Sequence, residues 1–279
     1  MVAIDATNTD QARAWDGTDG AFWATHHEIA EASLSRYMPA FLAAAAIEPT
    51  HRVLDIGCGT GASTRAAAVA ASAGTVLGID LSTRMIELAR DLAARKGLTN
   101  ITFERADAQV FAFEPETYDI VISQTGAMFF GAPAVAFANL WRGLTRGGRL
   151  VLLTWQPPDR QEWRDAFTQA LTGAMPPTPP PDAPGPFSLS EPDRVRALLG
   201  GAGFVDIACT PLAETTTYGR TVEQAYDFLF DLLGWMVEGQ DAARREQSAA
   251  ALRRTLAAHH TDDGVRFRSA TWLITATRP

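Results

Sequence analysis

The chain has 279 residues, 47% of them hydrophobic and 20% charged, so it can bury a large core in one or two domains. Its net charge of −8 provides no basic excess to replace phosphate counterions, which argues against nucleic acid as a partner. The two cysteines, Cys58 and Cys209, cannot build a disulfide framework and are typical of reduced cytoplasmic thiols.

The first residues lack the basic n-region and the apolar h-region of a signal peptide. The apolar runs are shorter than the about 20 residues that a bilayer-spanning helix needs. We therefore expect a cytoplasmic protein without a membrane partner, and the sequence leaves both a monomer and a homodimer open.

Residues 1–50 precede the first predicted strand. Thr25 and Glu28 have the spacing of a capping box, and the apolar residues that follow keep helical spacing. Pro39 is expected to kink or restart this helix. We expect a helical lid beside a ligand site.

From residue 51 short β-rich runs alternate with helical stretches, which predicts a doubly wound α/β fold with a mostly parallel sheet. This core is expected to span residues 51–156. The predicted strands are 51–56, 75–80, 101–105, 119–123 and 149–155, and the predicted helices are 63–73, 82–96 and 133–145.

Residues 157–189 are predicted to form a helix and a connection that is rich in proline over 173–186. Residues 190–279 are predicted to complete the sheet with strands at 204–212 and 271–277. A helical insert at about 220–260 is expected between these two strands. The nearby set His259, His260, Asp262 and Asp263 is interpreted as a solvated loop, so no metal site is expected.

A glycine-rich turn follows the first strand of the core. Gly57, Gly59 and Gly61 allow a sharp turn and a close approach of a ligand to the backbone, as in dinucleotide sites. Asp55 distinguishes a dinucleotide site from a site for a ligand with an ammonium group. A carboxylate there would repel a pyrophosphate at the helix N-terminus and attract an ammonium group. S-adenosylmethionine carries such an ammonium group on its methionine end.

Two further carboxylates follow the next strands of the core. Asp80 ends the second strand, where it could accept hydrogen bonds from both ribose hydroxyls. Asp107 follows the third strand, where it could accept from an adenine amino group. Together with Asp55 they favour S-adenosylmethionine over a nicotinamide cofactor.

This pattern resembles the class I S-adenosylmethionine-dependent methyltransferases, in particular small-molecule members similar to the ubiquinone/menaquinone methylases. The resemblance is carried by VLDIGCGTG (53–61), GIDLS (78–82), ADA (106–108), YDIVIS (118–123) and LTRGGRLVLLTW (144–155). It implies a seven-stranded Rossmann-like sheet whose last strand is antiparallel. It also implies that Asp55 lies near the methionine amine, Asp80 on the ribose, Leu81 or Met85 against adenine, Asp107 and Ala108 at the adenine edge, and Gln124 near the methionine moiety.

Methyl transfer from a sulfonium is an in-line displacement, which mainly requires that both reactants are held aligned and dry. If the acceptor must lose a proton, His26 and His27 are the best candidates for a general base, since Thr25 would place them at the start of a helix. The alternative is that one packs in the core while the other is solvated.

Aromatic residues are expected to wall the substrate site. Trp23, Phe129 and Phe130 are the preferred contacts, because Phe129 and Phe130 follow the fourth strand and Trp23 lies in the expected lid. Trp15, Trp155 and Trp235 are further candidates.

The predicted function is therefore methyl transfer to a small-molecule oxygen, nitrogen or carbon atom. Two alternatives remain open at this point. One is a protein of the same fold that binds S-adenosylmethionine for a reaction other than methyl transfer, and the other is an NAD(P)-dependent oxidoreductase, which Asp55 disfavours.

Overall fold

The computed structural model describes residues 2–177, 180 and 183–279. Within them lies one mixed sheet with strand order β3-β2-β1-β4-β5-β8-β6, and a two-residue strand β7 pairs with β8. β8 runs antiparallel to both β5 and β6, and the other neighbouring strands on this path are parallel to each other. The strands are β1 (Arg52–Ile56), β2 (Thr75–Asp80), β3 (Ile101–Arg105), β4 (Tyr118–Gln124), β5 (Leu144–Trp155), β6 (Val205–Gly219), β7 (His260–Thr261) and β8 (Gly264–Thr277).

Helices cover both faces of this sheet, which confirms the predicted doubly wound fold. Four helices precede β1, and two lie in the insert between β6 and β8. The helices are α1 (Thr9–Trp15), α2 (Thr18–Thr25), α3 (His27–Leu34), α4 (Met38–Ala45), α5 (Ala62–Ala70), α6 (Thr83–Arg95), α7 (Pro133–Gly143), α8 (Glu162–Thr172), α9 (Pro192–Gly201), α10 (Val222–Leu233) and α11 (Ala242–Ala258).

The central strand β1 is buried on both faces. Val53 packs into the core beneath α4 and α5, whereas Leu54 packs into the core beneath α7 and α9. Successive side chains of a strand point to opposite faces, so a strand between two helical layers must be apolar at nearly every position. Asp55 shares the face of Val53, and this places its carboxylate beside the start of α5.

A third core lies beyond the carboxyl edge of the sheet. β6 and β8 extend well past the predicted strand limits of 212 and 271, and they pair from Ala213↔Ala270 to Gly219↔Val265. Buried side chains of α8, α10 and α11 pack in one core with this extension, including Phe167, Phe228 and Leu252. The predicted strands were too short, because cross-strand pairing and burial sustain both extensions.

The segment that was interpreted as a solvated loop is ordered by contacts. His259 stacks on Phe267 with ring centroids 4.0 Å apart, and its Nδ1 lies 2.8 Å from the Thr255 carbonyl oxygen. His260 belongs to β7, which pairs with the start of β8. His260, Asp262 and Asp263 are exposed, as a solvated turn requires, whereas His259 is half-buried against β8.

Two other predictions concern the same half of the chain. Of the proline-rich connection, residues 178, 179, 181 and 182 lie outside the described residues. Trp235 is 65% exposed and lies outside the lining of the large cavity, so it does not form the substrate wall for which it was a candidate.

In the part of the chain that the structure describes, every helix is too short or too polar to cross a bilayer.

Candidate functional site

The turn after β1 forms the floor of the site. Gly57 adopts a φ of +62°, and a Cβ added to it would lie 2.8 Å from Gly126 Cα in the turn after β4. Gly59 adopts a φ of +55° and donates its N–H to Asp80 Oδ2 at 2.9 Å. The two turns can approach this closely only because both meet through glycine.

Asp80 closes β2 at the same edge. Its Oδ1 accepts from Ser82 N–H at 2.9 Å, so each carboxylate oxygen has one backbone donor. A carboxylate has about four acceptor positions, which leaves two for a ligand in the cavity that Asp80 lines. Burial raises the pKa of Asp80, although the backbone donors of Ser82 and Gly59 oppose this shift.

Gln124 and Thr125 form the opposite wall, at the end of β4. The Nε2 of Gln124 is buried without a hydrogen-bond partner, and its side chain lines the cavity. Thr125 adopts a φ of +61°, which costs a residue with a Cβ about 1–3 kcal/mol. An unpaired donor and a strained backbone next to each other indicate a ligand that accepts a hydrogen bond here.

Asp107 follows β3 and is tied to the N-terminal segment. Its Oδ1 accepts from Asn8 Nδ2 at 2.9 Å and from Gln109 N–H at 3.0 Å. Its Oδ2 accepts from Asp5 N–H at 3.0 Å. Asp107 therefore lines the cavity and also anchors the chain that precedes α1 against it.

One cavity of about 450 Å³ joins these groups. It runs from the glycine turn to an aromatic region formed by the N-terminal helices, α8, β6 and α10. The predicted cofactor residues that line it are Gly57, Gly59, Asp80, Leu81, Met85, Asp107, Ala108 and Gln124. The glycine cradle, the free acceptor positions of Asp80 and the unpaired amide of Gln124 fit a nucleoside with a charged amino-acid tail.

Residues 53–148 match the family that is described as "Methyltransferase domain". Over these residues the chain is similar to methyltransferase domains. This confirms the resemblance and the cofactor that the sequence predicted.

Three relatives illustrate how far the similarity extends. An uncharacterised protein of Mycobacterium tuberculosis is 33% identical over 140 residues, which are 50% of this chain and 50% of that protein. A malonyl-[acyl-carrier protein] O-methyltransferase of a Paenibacillus species is 29% identical over 197 residues, 67% of this chain and 70% of that enzyme. The crystal structure of YcgJ from Bacillus subtilis gives a TM-score of 0.56 at 21% identity, covering 88% of this chain and 97% of YcgJ, and shows that the two share the fold. The chain spans about half the length of the first of these relatives.

Asp55 does not line this cavity. It is fully buried, and its Oδ2 accepts from Ser63 Oγ at 2.6 Å and from Thr64 Oγ1 at 2.7 Å. Its Oδ1 has no partner, and burial raises its pKa from 3.8 to about 7. The strand turns this side chain towards α5, and its partner Ser63 lines the cavity, so the position of Asp55 near the methionine amine stays a prediction.

The predicted aromatic contacts belong to the lining of the cavity. Trp23, Phe129 and Phe130 all line it, and the ring of Phe129 meets Trp15 edge-on with centroids 4.9 Å apart. Trp155 lines it as well.

Neither predicted base lines the cavity. Thr25 is the last residue of α2, and its hydroxyl donates to the Ala21 carbonyl at 2.9 Å, so the expected capping box is wrong. His26 lies at the break between α2 and α3, 4.5 Å from the ring of Phe22 and 3.5 Å from Asp231 Oδ2. His27 places Nδ1 3.2 Å from the Ala24 carbonyl oxygen. His26 also meets the ring of Phe228 with centroids 5.4 Å apart, so it packs between α2 and α10.

An ion pair that the sequence did not reveal joins the N-terminal helices to the glycine turn. Arg65 Nη2 donates to both carboxylate oxygens of Glu31, at 2.7 and 2.8 Å, and its side chain is 6% exposed. Thr60 Oγ1 also donates to Glu31, at 3.0 Å. The two partners are 34 residues apart, so no local pattern could have paired them.

Two other groups were missed for different reasons. Trp163 and Phe167 are spaced by one helical turn on α8, and this spacing in the sequence would have predicted that they share one face of a helix. Thr216 and Tyr218 lie in TTTYG, a β-favouring run that would have extended the predicted strand. All four line the cavity.

Proposed function

We propose that this chain transfers a methyl group from S-adenosylmethionine to a small-molecule acceptor. The observation that carries the proposal is the cavity of about 450 Å³, because it joins the cofactor residues to an aromatic region. Bound S-adenosylmethionine supplies an electrophilic methyl group on a sulfonium. The chain's own residues must then bind, align and desolvate the two reactants.

On this proposal the carboxyl edge of the sheet holds the cofactor. Asp80 accepts from the ribose hydroxyls with the acceptor positions that Gly59 and Ser82 leave free. Leu81 and Met85 pack against adenine, and Gln124 donates to the methionine carboxylate. Asp55 acts through the first turn of α5, which it holds in place through Ser63 and Thr64.

The N-terminal helices are proposed to close the cavity from above. They supply Trp15, Trp23 and Glu31 to its lining, and the Glu31–Arg65 pair attaches them to the glycine turn. Water is thereby kept from the sulfonium, and an aromatic wall can attract its positive charge. Base catalysis by His26 or His27 gains no support from their positions.

Calorimetric titration with S-adenosylmethionine tests the first step. Wild type is expected to bind, and Asp80→Asn is expected to weaken binding at least about 10-fold, since each lost hydrogen bond to a charged group costs about 1.5–3 kcal/mol. Asp91→Asn, an exposed carboxylate on α6, is the matched control and should bind like wild type. Circular dichroism must show that all three proteins are folded.

Mass spectrometry of the cofactor tests the second step. Formation of S-adenosylhomocysteine together with a product heavier by one methylene group supports methyl transfer. Recovery of unchanged S-adenosylmethionine beside a product would instead assign a reaction that only uses the bound cofactor. Failure of folded wild type to bind S-adenosylmethionine would overturn the proposal at its first step.

A further inference from the structure

The aromatic end of the cavity has walls from five elements of the chain, and we call it the aromatic chamber. Its walls come from α2, the end of β5, α8 and α10 together with the extension of β6. They are formed by Trp23, Trp155, Trp163, Phe167, Tyr218, Phe228, Leu229, Leu232 and Leu233. The rings meet one another at angles, such as Phe167 and Tyr218 at 86° with centroids 4.9 Å apart. Such walls favour a flat, largely apolar ligand.

The described lining of the whole cavity holds no lysine, arginine or histidine. Its acidic residues are Glu31, Asp80 and Asp107, and each already accepts hydrogen bonds from the protein. A negative charge on the acceptor away from the sulfonium would therefore lose its water without gaining a partner, which costs several kcal/mol. The chamber consequently selects against acceptors with phosphate or remote carboxylate groups.

Two hydroxyls face one another on the floor of the chamber. Thr216 and Tyr218 are two residues apart on β6 and so point to the same face. Thr216 Oγ1 lies 3.3 Å from Tyr218 Oη and 3.4 Å from the Phe267 carbonyl oxygen. When Thr216 donates to Tyr218, the phenolic O–H of Tyr218 is free to donate to a ligand.

Tyr218 is a donor and not a base. Its side chain is buried, and this burial raises the pKa of its phenol, so it stays protonated at neutral pH. A bound carboxylate would need donors for about four acceptor positions, whereas this pair offers one free O–H. A single oxygen on a ring is the better match.

We propose that the acceptor is an uncharged aromatic molecule with a phenolic or enolic hydroxyl, whose oxygen accepts a hydrogen bond from Tyr218 in the aromatic chamber. This inference rests on the proposed function. The acceptor oxygen forms a new bond to the methyl carbon as the carbon–sulfur bond breaks, and that electron pair stays on sulfur, leaving a neutral thioether. The hydroxyl proton passes to solvent water when the acceptor ionises, and the negative charge on its oxygen is neutralised by the sulfonium that it attacks.

The acidity of the acceptor follows from the same lining. Since the described lining has no free side-chain base, the hydroxyl must ionise by its own acidity. Phenols and enols meet this requirement at neutral pH far better than aliphatic alcohols. Rates over a series of ring-substituted phenols should therefore rise with pH up to the pKa of each phenol.

Equilibrium dialysis with 2-naphthol, 2-naphthoate and naphthalene tests the chamber without the cofactor. Wild type is expected to bind 2-naphthol at least about 10-fold more tightly than 2-naphthoate, which corresponds to 1.4 kcal/mol. Tyr218→Phe should weaken 2-naphthol binding about 3- to 10-fold, the effect of one hydrogen bond, and leave naphthalene binding unchanged. Tyr226→Phe is the matched control, because Tyr226 lies outside the lining and stacks on Phe230 and Arg253.

The outcomes separate this inference from the proposed function. If S-adenosylmethionine binds but 2-naphthoate equals or exceeds 2-naphthol, the acceptor class is wrong while methyl transfer stands. Equal binding of 2-naphthol by wild type and Tyr218→Phe would remove the tyrosine from the proposal. A phenol series whose pH profiles share one pKa would reveal a protein base and overturn the proton route.

Discussion

The buried carboxyl group of Asp55 makes the stability of this protein depend on pH. In the unfolded chain the ordinary pKa of 3.8 applies, whereas in the folded chain burial raises it to about 7. Between these values the folded state binds one more proton than the unfolded state, so stability falls as pH rises. The contribution is fully present below pH 3.8 and is lost as the pH rises through about 7.

Asp55→Asn removes this proton equilibrium while keeping an oxygen for Ser63 and Thr64 to donate to. The difference between the two pKa values corresponds to about 4 kcal/mol over the full range. Between about pH 5 and about pH 8 the free energy of unfolding of wild type should fall by about 2.5 kcal/mol relative to the variant. The amide has no partner for its nitrogen, which lowers stability at every pH but does not change the slope.

Urea unfolding at several pH values, for both proteins without ligand, measures this difference. Asp91→Asn is the control for the loss of one exposed carboxylate, and its curve should run parallel to that of wild type. Parallel curves for wild type and Asp55→Asn would refute the reasoning, because they would mean that Asp55 titrates alike in the folded and unfolded chains.

Two further substitutions test the floor of the site and its attachment to the N-terminal helices. Gly57→Ala should lower the free energy of unfolding by about 2 kcal/mol and abolish cofactor binding, because the new Cβ combines a positive φ with a 2.8 Å contact to Gly126. Gly97 has a φ of +66° and open space around it, so Gly97→Ala measures the cost of the backbone angle alone in the same thermal unfolding assay. Glu31→Gln should lower the free energy of unfolding by about 3 kcal/mol, because the buried guanidinium of Arg65 loses its charged partner. The double variant Glu31→Gln/Arg65→Met should recover part of this loss in urea unfolding. A Gly97→Ala variant as unstable as Gly57→Ala, or no recovery in the double variant, would contradict these two expectations.

Local signals in the sequence were sufficient for the core of the methyltransferase domain. The strand, glycine turn and helix around Gly57 are formed by consecutive residues. The same holds for Asp80 at the end of β2 and for the Ser82 cap, which accepts from Met85 N–H. Each depends on backbone geometry within a few residues, which propensity and turn chemistry determine. The cofactor class followed from that local pattern.

The aromatic end of the cavity is formed by contacts between distant segments. The Glu31–Arg65 pair, the bonds of Asp107 to the N-terminal segment and the chamber on the extended β6 all join residues that are far apart in the chain. The motif specifies an aspartate at position 55, but the direction in which the Asp55 side chain points follows from the burial of β1 between two helical layers. The sequence determined which cofactor this fold holds, because those contacts are local. Only packing between distant segments determined the shape and polarity of the space beside it.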